Sequence, residues 1–297
     1  MFPPVLLWSV TFCLLVVSYF GVKKYWKSVH AVAFWAVCIY TLALVIINYY
    51  IYSLDQWKNN YHYRTFIFWL LPLPVLWILP RDKNTFSLKK SIELYFWIWL
   101  GMVLLDYSEV WVQQYTSNPF LYMTLHCFLW NVVYISVPVI AVLLKRANIQ
   151  DCALKIKMNR AEKRYLFWIL AGIIALTGYA SFDKEFVLYY PFVRTHNTQQ
   201  QLIYELVYGA SFFGLELFFR GFSTHLSKKV FNEHGILLMM CFYVLLHLGK
   251  PMPECISAMF GAMLLGTLSV HTNSITFGFA GHLTMAWSMD LWALWQY

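Results

Sequence analysis

Four side chains in the last hundred residues of this 297-residue chain could do chemistry together: Glu216, Arg220, His247 and His282. They stand in three otherwise apolar strings, Y-E-L-V-Y-G-A-S-F-F-G-L-E-L-F-F-R-G-F, C-F-Y-V-L-L-H-L-G-K-P-M-P-E and G-H-L-T-M-A-W-S-M-D-L. Glu216 and Arg220 are i and i+4, so on a helix they share a face and can pair. His247 and His282 belong to two further segments. One carboxylate and two imidazoles drawn from three segments suit a catalytic divalent metal such as zinc. They suit equally a metal-free acid–base set that activates water. A third reading is structural, a buried polar network that pins helices together. Glu205, Lys250, Glu254 and Asp290 are secondary candidates. Glu205 shares the Glu216 stripe but lies about 16 Å away along a helix axis. Lys250, Glu254 and Asp290 sit near the ends of their apolar runs.

These groups need elements to hold them, and composition says which. The chain is 60% hydrophobic and 20% aromatic, and only 12% of it is charged, against roughly 25% in an average soluble domain. Mean hydropathy is +0.55. Too few charged residues exist to cover a water-facing surface, so the solvent for most side chains is a lipid bilayer. Apolar stretches at 4–20, 29–52, 65–80, 91–110, 119–144, 165–182, 200–225, 235–249, 253–271 and 274–295 predict an all-α polytopic transmembrane bundle. A span needs roughly 17 residues or more, and three of these runs sit near that limit, which puts the count at eight to ten spans. An ionisable group inside a span costs about 2.5–3.5 kcal/mol on insertion scales, so those present are expected to pair or to work.

The net charge of +8 does not point to nucleic acid, because the basic residues fall between spans. Of the 22 Lys and Arg, 16 collect in loops on one side, five lie on the other, and Arg220 is inside a span. The positive-inside rule then places both termini outside. The loop 145–164 alone holds seven basic residues; it reads as a topology anchor, or as a patch for anionic headgroups or a partner. The six cysteines contain no C-x-x-C pair and read as small packed hydrophobes. Met1-Phe2-Pro3-Pro4 lacks a basic leader, so the first run is expected to be a retained helix.

The order of motifs carries a resemblance. Glu216-x-x-x-Arg220-Gly221, then Tyr243-x-x-x-His247, then His282 resembles the CPBP (Abi) family, which includes CAAX prenyl endopeptidases and bacteriocin-processing intramembrane proteases. The family pattern is Glu-Glu-x-x-x-Arg, Phe-x-x-x-His and His-x-x-x-Asn. The string G-A-M-L-L-G-T-L-S-V-H-T-N-S-I between the last two motifs is similar to the family's link. The resemblance covers about residues 200–290. It divides the chain into 1–165, transmembrane helices of unassigned role, and 166–297, a CPBP-like core. Two positions depart from the pattern. Leu215 stands where the family's first glutamate, the residue that activates water, belongs, and Ala286 stands where the asparagine belongs.

The resemblance implies an intramembrane endopeptidase that cuts a membrane-anchored or lipidated peptide with water activated by Glu216 and His247. His282 would support the intermediate and Arg220 would orient Glu216, with or without zinc held by Glu216, His247 and His282. The losses at Leu215 and Ala286 give the alternative, a catalytically inactive membrane scaffold or subunit that binds partner proteins. A transporter ranks below both, because the halves show no repeat. The expected setting is a bacterial inner membrane.

Overall fold

The apolar stretches fold into helices in the computed structural model, which describes residues 4–26, 30–60, 62–80, 87–182, 184–195 and 197–296. Lys27, Arg81 and Lys83, part of the basic-loop pattern above, lie outside the described residues. In chain order the helices are α1 (Pro4–Tyr25), α2 (Ala31–Ile46), α3 (Leu54–Asn60), α4 (His62–Phe68), α5 (Val75–Ile78), α6 (Leu88–Tyr115) and α7 (Pro119–Leu143). They continue with α8 (Arg160–Ala180), α9 (Lys184–Tyr189), α10 (Thr198–Glu216), α11 (Thr224–Phe231), α12 (Gly235–Leu246), α13 (Met252–Thr272) and α14 (Thr276–Trp295). Among the described residues the only pairing of extended backbone is an isolated bridge, Leu154 with Ser274.

Local chemistry sets the boundaries. Asn118 caps α7 by accepting from the Leu121 amide at 3.1 Å, with Pro119 at the first helical position. Asn159 and Glu162 form a reciprocal capping box at the start of α8. Asn273, at φ 53°, ends α13. The one expected span that does not form a continuous helix is 65–80. Pro72 and Pro74 lack donors and disfavour helix at the residue before each, so the chain turns between α4 and α5.

Four segments are long and apolar enough to cross a membrane among the described residues: Ala31–Ile51, Pro119–Leu143, Thr198–Leu246 and Met252–Thr272. The third is not one rod. The chain reverses at Asn232 (φ 52°, ψ −148°), so α10 runs one way and α12 returns. Helices α6, α8 and α14 reach 28, 21 and 20 residues, which is also spanning length. The outer surface is rich in apolar side chains: Phe12, Trp77, Phe167, Trp168 and Leu291 are all exposed. An all-α bundle with such an exterior suits lipid.

Helix α12 is the inner element. Every residue from Gly235 to Leu245 is buried, and it packs against α13, α11 and α2. Helix α10 lies against α7 on one side and α14 on another, and α14 leans on α8. One apolar core joins residues of α2, α6, α7, α12 and α13, so the early helices wall the same interior that the later ones fill.

Candidate functional site

Glu216 ends α10, and the backbone then widens into a π turn from Leu217 to Ser223 that carries Arg220. Such turns recur at functional sites. Two neighbours accommodate the widening. Ser269 of α13 donates its hydroxyl to the Arg220 carbonyl at 2.8 Å. Gly221 has no side chain where the Cys152 carbonyl sits; a Cβ there would lie 2.5 Å from that oxygen.

The carboxylate of Glu216 has no solvent exposure. Its Oε1 lies 3.2 Å from an Arg220 guanidinium nitrogen and 2.7 Å from His282 Nδ1. Its Oε2 is seated on α14 at Gly278, so closely that a Cβ on that residue would fall 1.7 Å from the oxygen. His282 is fixed from both ends. Nδ1 faces the Glu216 carboxylate and the Gly278 carbonyl, the latter at 3.2 Å. Both of these only accept, so the proton sits on Nδ1. Nε2 therefore accepts from the Tyr243 hydroxyl at 2.7 Å. Phe212 of α10 stacks on the imidazole, centroids 5.5 Å apart and planes within 15°. The Arg220 guanidinium lies 4.0 Å from the centre of the Tyr243 ring, a cation–π contact in a dry setting. Glu216, His282 and Tyr243 thus form one chain of carboxylate, imidazole and hydroxyl, with Arg220 spanning its two ends.

His247 stands one turn beyond Tyr243, where α12 ends. Its ring lies 4.6 Å from the Tyr243 ring. Its Nδ1 donates to the Tyr243 carbonyl at 2.9 Å, which leaves the lone pair of Nε2 for another partner. The side chain is half-buried, unlike those of Glu216 and Arg220.

The structure brings Glu216, Arg220 and His282 into contact and sets His247 beside them through Tyr243. It does not assemble Glu216, His247 and His282 as a metal-ligand group, and among the described residues no set of three or more His, Cys, Asp or Glu could hold a metal ion. The reason is local: both nitrogens of His282 are engaged and the ring of His247 is turned to its own helix. Nor does any secondary candidate fill the place of the missing first glutamate. Leu215 is packed in the apolar core. Lys250 and Glu254 pair with each other at 2.6 Å, where Glu254 also accepts from the Tyr190 hydroxyl. Glu205 and Asp290 face each other elsewhere on α10 and α14. Ala286 is buried and offers no donor. Tyr243 already belongs to the motif order, whereas Gly278 is a site residue that the sequence reading passed over although it lies four residues before His282. Comparison of the chain with protein-family models, with curated proteins and with solved structures finds no match.

Proposed function

We propose that the chain is a divergent intramembrane endopeptidase of the CPBP type, acting on a membrane-anchored or lipidated peptide. The observation that supports this is the carboxylate–imidazole–hydroxyl chain of Glu216, His282 and Tyr243, built from three helices beside a half-buried His247. An imidazole oriented by a buried carboxylate is the arrangement that acid–base and acyl-transfer sites share. The roles differ from those the resemblance implied. Glu216 has no exposure, so it is sealed from bulk solvent and acts by holding His282. His247 has the free lone pair and is the general base that takes a proton from water. Tyr243 spends its one proton on His282 and packs its ring against His247, so it positions both imidazoles. With 65–80 counted as a crossing, the bias of basic residues to one side favours both termini outside, and a bacterial inner membrane is the setting we propose.

The test uses purified protein in nanodiscs with a panel of lipidated and single-span peptides, read by mass spectrometry. Cleavage is expected from the parent chain and is expected to be lost in His247→Ala and in Glu216→Gln, with circular dichroism unchanged. Cleavage that persists in both variants would remove these residues from the mechanism. A second reading, a catalytically inactive scaffold, is favoured by Leu215 and Ala286 and by the sealing of Glu216. It expects no cleavage by the parent chain and a stoichiometric membrane-protein partner retained through mild solubilisation.

A further inference from the structure

The seam between α10 and α14 holds a second pair of ionisable groups. Glu205 lies eleven residues before Glu216 and Asp290 eight residues after His282, so each sits two to three turns from the site, about 12–16 Å along its helix. Helix α10 packs on α14 here, where Trp287, one turn before Asp290, reaches the Glu205 backbone, so the two carboxyls share this seam. Asp290 is 3% exposed, and neither of its oxygens, nor Oε2 of Glu205, has a donor. The donors nearby are used otherwise. Gln201 gives its amide to Glu205 Oε1 at 2.8 Å, and the Trp287 indole donates to the Glu205 backbone carbonyl at 3.3 Å. Asp106, also buried, shows what a supplied carboxylate looks like here: Lys58 reaches one oxygen at 3.3 Å and the Trp69 indole the other at 2.6 Å.

Two carboxylates cannot hydrogen-bond each other, because both only accept. The missing donor is a proton, and two like charges facing each other in an apolar seam leave one group protonated. We propose that Glu205 and Asp290 form a proton-binding site, sharing one proton across the α10–α14 seam. The surrounding ionisable groups support a proton rather than a fixed countercharge. Tyr204 and Tyr208 of α10 stack on each other at 5.4 Å, and Cys127 of α7 packs in one cluster with Tyr204. None of these bears a positive charge. Helix α8 presents Thr177 to Ser288 at 2.9 Å, and α9, which touches α14, carries Lys184 with its side chain exposed. The Tyr204 hydroxyl, fully buried, also has no partner. Among the described residues no group of three or more His, Cys, Asp or Glu lies here to hold a metal ion. Loss of the proton places two like charges in the seam whose closure seats Glu216 on Gly278, so occupancy of this site clamps the two helices.

Infrared spectroscopy of the full chain in nanodiscs tests this. At neutral pH the parent chain is expected to show a protonated-carboxyl C=O band that shifts in heavy water and is absent from Asp290→Asn and from Glu205→Gln. Replacing choline with sodium is expected to leave the band unchanged. A band equally strong in both variants, no such band in the parent, or a band that sodium abolishes would each overturn the proposal. Because the parent spectrum and the sodium comparison need no variant, the result stands even if one substitution fails to fold.

Discussion

Replacing Gly278 with alanine puts a methyl group where the Glu216 carboxylate already is. The new Cβ would lie 1.7 Å from Oε2, 2.4 Å from Cδ and 3.2 Å from Oε1, whereas carbon at ordinary contact stands about 3.5–4.0 Å off. Something has to move by about 2 Å. The carboxylate cannot swing away alone, because Arg220 and His282 hold it at 3.2 and 2.7 Å. Either α10 parts from α14 or the charge network opens. Overpacking costs about 1–3 kcal/mol and opening a buried charge pair about 3–5 kcal/mol, while helix propensity returns about 1 kcal/mol to alanine. The two costs overlap, so the expected loss is about 3–5 kcal/mol. Gly261 on α13 and Gly172 on α8 have nothing within 4 Å of the same added atom, and alanine there is expected to stay within about 1 kcal/mol of the parent. Reversible unfolding in mixed micelles compares the three variants under one condition. A Gly278→Ala protein as stable as Gly261→Ala would refute the close seating of Glu216 on α14.

Glu216→Leu alone strands the Arg220 charge and is expected to cost about 3–5 kcal/mol, whereas Glu216→Leu with Arg220→Met is expected to recover most of it in the same unfolding assay. Tyr243→Phe removes the donor to His282 Nε2 and should cost about 1–3 kcal/mol; an unchanged unfolding curve would mean that the hydrogen bond is absent. His234, in the turn before α12, accepts the His30 amide on Nε2 at 2.9 Å, and burial, with His30 adding to it, holds it below the ordinary imidazole range. With the folded value lowered, only the unfolded chain gains this proton as pH falls below about 6.5. Thermal stability should therefore fall from pH 7 toward pH 5, and His234→Asn should flatten that dependence.

Much of the fold was legible because a span is a local property. Nine of the ten apolar stretches became continuous helix, and the tenth failed where Pro72 and Pro74 remove donors. The Glu216–Arg220 pair was legible for the same reason, through i, i+4 spacing. His282 was grouped with Glu216 by the order of motifs, but nothing in the string around it says that its helix meets α10 at Gly278. The expectation that the second histidine joins Glu216 as a ligand failed on side-chain rotation: His247 bonds its own helix carbonyl, which spacing cannot reveal. Glu205 and Asp290 stand as separate secondary candidates in the sequence, 85 residues apart, and that they belong to one seam is a matter of packing.

The most direct measurement is a double-mutant cycle between Glu216→Gln and His282→Leu, scored as unfolding free energy in lipid-detergent mixtures. A carboxylate and an imidazole in contact and sealed from solvent should couple by about 1–3 kcal/mol. Costs that add to within about 0.5 kcal/mol would mean that the two groups do not act as a unit.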